Sequence, residues 1–161
     1  MSLSIRRARP EDAALIFSLL CELAEYEKLS HEVEATEAGI AAALFTEHPL
    51  LFCEIAEWGG EPAGFAVWFF NFSTFVGRPG IYLEDLFVRP AFRGKGIGKA
   101  LLVHLARLCA ENGWSRMQWS VLDWNAPSVD FYKSLGAVLM DEWKLCKITG
   151  AALAQLAKAE P

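Results

Sequence analysis

The sequence predicts an α/β (α+β) protein in which helices flank a mixed central sheet of about six to seven strands. Leu50–Glu57 and Ala63–Phe72 are predicted strands joined by a turn with two glycines, which indicates an antiparallel pair. The apolar strand Ile81–Val88 ends in a glycine-rich turn, the amphipathic helix Ala100–Asn112 follows, and Ser115–Leu122 is apolar again. A crossover helix between two strands is typical of a parallel pair, so the sheet is mixed.

The N-terminal elements follow from helix start signals and apolar spacing. Leu3–Ala8 is a predicted strand, and Pro10-Glu11-Asp12 begins a helix with proline and acids in its first turn. An apolar stripe at a spacing of three to four residues supports that helix: Ile16, Leu19, Leu20, Leu23 and Tyr26. Thr36 is placed to cap a second helix that ends near Phe45.

The C-terminal elements are predicted in the same way. Asn125 caps a short helix that reaches Leu135, and Gly136 stands where glycine usually ends a helix. Ala137–Ile148 is predicted to be mostly strand, and Thr149–Ala159 is predicted to be a terminal helix.

Length and composition predict a single domain over residues 1–161. The 161 residues are 53% hydrophobic and 22% charged, with a net charge of −5 that argues against a nucleic-acid partner. No apolar run reaches the roughly 18 residues of a membrane span, and the N-terminus lacks a signal peptide, so we expect a cytoplasmic protein without a membrane partner. Four scattered cysteines are expected to be buried free thiols.

The turn Arg93-Gly94-Lys95-Gly96-Ile97-Gly98-Lys99 carries the chemistry of this sequence. Backbone N–H groups at such a turn, together with the positive end of the following helix dipole, favour a bound anion. The spacing fits neither the Walker loop, since Ala100 follows Lys99, nor the GxGxxG dinucleotide fingerprint. Isolated histidines and the absence of ligand spacing predict no metal site.

The turn matches the R/Q-x-x-G-x-G/A motif of the GNAT superfamily, in which backbone amides hold the pyrophosphate of acetyl-CoA. Further segments in the same order resemble its diamine (spermidine/spermine) N-acetyltransferase subfamily, which includes thialysine acetyltransferases. These segments are Leu23–Glu27, Glu47–Pro49, Gly64–Ala66, Tyr82–Asp85 and Asn125–Lys133. The resemblance covers roughly residues 4 to 148 and implies a GNAT fold, with the glycine loop between a central strand and the crossover helix.

The resemblance also implies residues for acetyl-CoA. The pantetheine arm, the pyrophosphate and a second cofactor segment would be bound by Leu86, Phe87, Val88, Arg93, Gly94, Lys95, Gly96, Ile97, Gly98, Lys99, Asn125, Ser128 and Tyr132. Backbone N–H groups near Phe87 and Val88 are expected to stabilise the carbonyl oxygen. Asn125 and Ser128 are also explained as the cap and first turn of their helix, and both roles can hold together.

The implied reaction is direct acetyl transfer to an amine, and it needs an acid and a base. An alkyl ammonium has a pKa near 10.4, so at pH 7 the free amine lies roughly 4.6 kcal/mol uphill. The resemblance assigns amine binding and deprotonation to Glu84, and protonation of the leaving thiolate to Tyr132. Strand alternation places Asp85 on the opposite face from Glu84 unless a bulge intervenes.

The implied substrate is a small amine, either a diamine or a lysine-like amino acid. Substrate contacts are expected from Tyr26, Glu27, Glu84, Asp85 and Glu142, with Asp141 an alternative to Glu142 and Glu27 equally explained as a surface carboxylate. Subfamily members resemble homodimers, and the strand Phe65–Phe70 is explained either as an interface or as core. Two alternatives are a non-catalytic acyl-CoA-binding module and an acetyltransferase acting on a protein or peptide amine.

Overall fold

The sheet of the protein has five strands in the order β1-β2-β3-β4-β5. The structure, a computed structural model, describes residues 1–160. Pairing is antiparallel from β1 to β4 and parallel between β4 and β5, as the sequence predicts. The strands are β1 (Leu3–Arg7), β2 (Phe52–Trp58), β3 (Glu61–Ser73), β4 (Arg78–Val88) and β5 (Met117–Gln118).

The described residues form five α-helices: α1 (Ala13–Tyr26), α2 (Glu37–Leu44), α3 (Ile97–Asn112), α4 (Ala126–Ser134) and α5 (Gly150–Leu156). Two caps predicted from the sequence are present. The Thr36 hydroxyl accepts a hydrogen bond from the Gly39 N–H at 3.1 Å, and the Asn125 side chain accepts one from the Ser128 N–H. Contacts divide the chain into two units, Met1–Ser120 and the residues from Val121 onward, and each is described by itself.

The two faces of the sheet in the first unit are covered by different helices. Cys53 and Ile55 of β2 are buried in the core formed with α1 and α2. Glu54, between them, points the other way, and its Oε2 lies 3.3 Å from Nε2 of His104 on α3. Glu54 is only 1% exposed, and its carboxylate also accepts from Nε of Arg7 at 2.8 Å. A carboxylate at this depth needs such partners because burial removes its hydration.

The strand Phe65–Phe70 belongs mainly to the core of the first unit. Phe65 and Trp68 are 0% and 1% exposed, whereas Phe70 is 44% exposed. Burial therefore accounts for most of this apolar strand, and its outer end alone is left for contact with another molecule.

One strand prediction is too long and a second is wrong. Ser115–Leu122 contributes only the two residues Met117 and Gln118, and between Gly136 and Gly150 the described chain forms no strand, so the sheet has five strands rather than six or seven. In the latter segment the Trp143 N–H donates to the Met140 carbonyl in a turn. Its apolar side chains are largely exposed, and an apolar run without a surface to pack on lacks what stabilises a strand.

The cysteines are free, as predicted, but they are not uniformly buried. Cys53 and Cys109 are buried, Cys21 is half-buried and Cys146 is exposed. Burial raises the pKa of the Cys53 and Cys109 thiols, which keeps them protonated. No helix within residues 1–160 combines the length and apolar character needed to cross a bilayer.

Candidate active site

An irregularity in the pairing of β3 with β4 sets the position of the two strand carboxylates. Val67 lies opposite Asp85 and Trp68 lies opposite Leu83, so Glu84 is an extra residue in β4. Such a bulge interrupts the alternation of side chains between the two faces of a sheet. As a result, Glu84 and Asp85 line the same cavity, on the α1 and α2 side of the sheet.

The carboxyl groups at this cavity influence each other. Burial, followed by the negative charges of Glu84 and Glu27, raises the pKa of Asp85 to about 7. Burial also raises the pKa of Glu27, which follows the last residue of α1. Three residues predicted to contact substrate therefore lie close enough to interact electrostatically, and one of them titrates near neutral pH.

The end of α1 also meets the far end of β4. The rings of Tyr26 and Phe87 have centroids 6.5 Å apart, and the Arg93 guanidinium lies 4.8 Å from the Tyr26 ring centroid. Tyr26 is 38% exposed. The predicted substrate residues Tyr26 and Glu27 are thus placed beside the strand that carries Glu84 and Asp85.

One edge of β4 is left without a neighbouring strand over its last six residues. The parallel ladder with β5 pairs only Ile81 with Met117 and Tyr82 with Gln118. The antiparallel ladder with β3 continues to Val88 on the other side. Within the described sheet, Leu86, Phe87 and Val88 therefore have an edge available for a ligand that binds in strand-like fashion, as expected for the pantetheine arm.

The glycine turn after β4 has the geometry needed for a pyrophosphate. Gly94 and Gly96 have φ of 76° and 77°, and no atom lies within 4 Å of where a Cβ would stand at either position. Gly96 caps α3 without a side-chain hydrogen bond, so the first N–H groups of this helix are not occupied by a capping side chain. The turn and helix end supply the amides and the dipole that an anion requires, and these residues fit acetyl-CoA.

Two of the three basic side chains of the turn, Arg93 and Lys95, contact the protein itself. Nε of Arg93 donates to the Val88 carbonyl at 2.9 Å, and Nζ of Lys95 lies 5.5 Å from a Trp58 ring centroid. Ile97 is buried under the first turn of α3, while Lys99 is exposed. Arg93 thus fixes the beginning of the turn, and Lys95 and Lys99 stand at its surface.

An ion pair that the sequence analysis missed holds the beginning of the turn to α1. Nε and Nη2 of Arg89 donate to the two carboxylate oxygens of Glu22 at 2.9 and 2.7 Å, and Nη1 donates to the Pro62 carbonyl at 3.0 Å. The hydrogen bond from Arg89 lowers the pKa of Glu22. These partners are 67 residues apart, so no local sequence pattern reveals them.

The other predicted site residues belong to the second unit. Asn125 caps α4 and is buried, Ser128 lies in the first turn of α4, and Tyr132 lies one turn further on, with its ring centroid 5.5 Å from that of Phe131. Asp141 and Glu142 stand in the exposed segment that follows α4. The helix-cap explanation of Asn125 and Ser128 therefore holds.

The raised pKa of Asp85 predicts a pH-dependent effect of Asp85→Asn on stability. The folded-state pKa, about 7, exceeds the ordinary value of 3.8, so this group stabilises the fold at low pH and that contribution is lost as pH rises towards 7. At pH 8 the neutral, isosteric amide relieves the buried charge, and we expect a gain of about 1–2 kcal/mol in the free energy of unfolding. Near pH 4 the gain should be small.

Urea titrations of the wild type and Asp85→Asn at both pH values measure this difference. Asp130→Asn, at an exposed position of α4, is the matched control. A gain of equal size at pH 4 and pH 8 would show that Asp85 does not titrate as described.

Comparison with known proteins shows to which family the chain belongs. The model of the acetyltransferase (GNAT) family matches residues 14–137. A thialysine N-ε-acetyltransferase of Sus scrofa is 40% identical over 97% of this chain and 98% of its own length. An L-ornithine N5-acetyltransferase of Arabidopsis thaliana is 31% identical, covering 96% of this chain and 87% of its own.

A solved structure is similar over the whole length of the chain. An integron cassette protein from the mobile metagenome of V. cholerae has a TM-score of 0.82 and 31% identity over 99% of both chains. The resemblance noted in the sequence is therefore confirmed, and so is the fold class. Because the family model spans residues 14–137 and the Sus scrofa relative aligns with nearly the full length, the chain belongs to the GNAT family and is an acetyl-transferring enzyme.

Proposed function

We propose that the protein moves an acetyl group from acetyl-CoA directly to the primary amine of a small molecule, a diamine or a lysine-like amino acid. The observation that carries this proposal is the group of three carboxyls, Glu84 and Asp85 on the strand that leads to the glycine turn and Glu27 just after the end of α1. A cationic amine is the natural ligand of such a group. The names of the Sus scrofa and Arabidopsis thaliana relatives point to amines of the same kind.

The carboxyls bind the ammonium and remove its proton. Glu84, exposed at the cavity, is the proposed counter-ion and base. Asp85, whose pKa is about 7, is the group best matched to exchange a proton at neutral pH, directly or through Glu84 and water. Glu27 and Tyr26 orient the amine from the end of α1. The free amine then attacks the thioester carbonyl, forming the C–N bond.

The remaining steps stabilise the oxygen and the sulfur. Backbone N–H groups near Phe87 and Val88 donate to the carbonyl oxygen while it carries charge. As the C–S bond breaks, the Tyr132 hydroxyl gives its proton to the thiolate, whose conjugate acid has a pKa near 8.5 against about 10 for tyrosine. The nitrogen then loses its second proton to solvent, and Tyr132 regains its proton from solvent. Acetyl-CoA supplies the activated acetyl group. The turn Arg93–Lys99 would hold its pyrophosphate, and Asn125 and Ser128 would bind it from α4.

A homodimer is part of this proposal. Exposed apolar side chains at the outer ends of β3 and β4 and after α4 support it, because isolated chains seldom leave so many large apolar groups in water. They include Phe72, Phe75, Val138, Trp143 and Leu145.

Thiol release from acetyl-CoA, measured with and without amine, tests the proposal. We expect release that depends on at least one of spermidine, putrescine, lysine and thialysine, with the matching N-acetyl product detected by mass spectrometry. Binding of acetyl-CoA without amine-dependent release would instead support a non-catalytic module. Turnover of a peptide N-terminus and of no small amine would contradict the small-molecule assignment.

Tyr132→Phe tests the general acid. Removing the hydroxyl leaves the ring and deletes only the proton donor, so kcat should fall about 10²-fold with little change in the KM for acetyl-CoA. Tyr82→Phe is the control, because it removes the hydroxyl of a tyrosine on β4 that is hydrogen-bonded to the Ser120 hydroxyl at 3.0 Å. If Tyr132→Phe retains the wild-type kcat across the pH range, Tyr132 is not the acid.

Glu22→Gln tests whether the ion pair with Arg89 supports the cofactor turn. Losing the charge weakens both hydrogen bonds that anchor Arg89, which precedes the turn. The KM for acetyl-CoA should therefore rise about three- to tenfold while kcat changes less. Glu25→Gln, an exposed carboxylate of the same helix, is the control. Equal effects of the two variants on this KM would rule out the anchoring role.

A further inference from the structure

A cavity of about 420 Å³ lies beside Glu84 and Asp85, within the first unit. Its walls come from α1, α2, the residue before β2, and the strands β3 and β4. The lining residues are Ile16, Leu20, Ile40, Leu44, Leu51, Phe65, Val67, Phe69, Glu84 and Asp85. The volume falls within the roughly 300–1,000 Å³ that pockets for small organic ligands occupy.

The lining of this cavity is chemically divided. Eight of its ten residues are aliphatic or aromatic, and the two acids are neighbours on β4 at the bulge. Among the described residues that line it, no amide, hydroxyl or basic side chain is present. One end of the cavity therefore attracts a cation, and the rest offers only apolar surface.

Such a division favours one kind of amine. A hydrocarbon chain gains free energy when it leaves water for the apolar walls. A second ammonium group placed against those walls loses its hydration and finds no partner there. A polyamine or amino acid must keep its other charged groups outside the cavity, whereas an amine with a single charge can fill it.

We propose that the enzyme acetylates a further class of substrate, primary alkylamines with a single charge. Their ammonium lies beside Glu84 and Asp85, and their hydrocarbon chain fills the cavity between α1, α2 and β3. This inference rests on the proposed amine acetylation and extends it to substrates that the diamine and thialysine resemblance does not imply.

The test is kcat/KM for acetyl-CoA-dependent acetylation of ethylamine, butylamine, hexylamine and 1,6-diaminohexane. Simple alkylamines ionise alike, so differences in free-amine concentration are small. Each buried CH₂ contributes up to about fourfold, and we expect kcat/KM to rise at least about tenfold from ethylamine to hexylamine. Hexylamine should exceed 1,6-diaminohexane, which has the same length and a second charge, by about tenfold.

A cavity-filling variant tests whether the dependence on alkyl chain length arises in this cavity. Ile40 lines the cavity from α2, and Ile40→Phe should lower the hexylamine-to-ethylamine ratio of kcat/KM by at least about fivefold. Using a ratio removes any general loss of active enzyme. Ala42→Phe places the same ring on the exposed face of the same helix, and its ratio should equal that of the wild type.

The outcomes separate this inference from the function on which it rests. Acetylation of lysine or a diamine with a flat response to alkyl chain length, or with the diamine preferred over hexylamine, overturns the inference and leaves the proposed function standing. An unchanged ratio in Ile40→Phe overturns the assignment of the chain to this cavity. Failure to acetylate any amine overturns both.

Discussion

The extra residue in β4 at Glu84 is the constraint on which the site depends. In a regular strand, one of two adjacent carboxylates faces α3 and the other faces α1 and α2. On the α3 side, buried Glu54 already takes Arg7, His104 and Trp68 as partners. A second carboxylate on that face would bury another charge with a large desolvation cost. The bulge avoids this cost and gathers both β4 acids at one cavity.

The same strand then orders the rest of the first unit's site. β4 loses its parallel neighbour after Tyr82, just before the bulge, which leaves an edge for an extended ligand, and after Val88 it enters the glycine turn. Two contacts tie this turn to α1. Glu22 binds Arg89, and Tyr26, one helical turn later, lies under Arg93. The helix that leads to Glu27, a proposed substrate contact, therefore also supports the loop expected to hold the cofactor.

The sequence predicted those features that have a local physical cause. Thr36 and Asn125 cap their helices because a side-chain oxygen can reach an N–H three residues on, and the glycine turn fits an anion because its spacing defines the backbone. The bulge was left open, since it depends on the register between two strands. The pair between Glu22 and Arg89 was missed because its partners meet only through the fold. The apolar run after Gly136 was overpredicted, since alternation alone does not supply a partner strand.

Glu22 on α1 and Glu27 just after it are two carboxylates whose pKa values the fold shifts in opposite directions. Arg89 lowers the pKa of Glu22 by hydrogen bonding to its charged form, whereas burial raises the pKa of Glu27 and its charge contributes to raising that of Asp85. The first carboxylate is fixed as an anion with a structural partner. The second, Glu27, lies where burial disfavours its charged form, and a nearby cation would stabilise that form. Divergent environments for neighbouring acids are the usual sign of divided roles. An ammonium bound here would lower the pKa of Glu27 and Asp85, so its binding would be coupled to proton release.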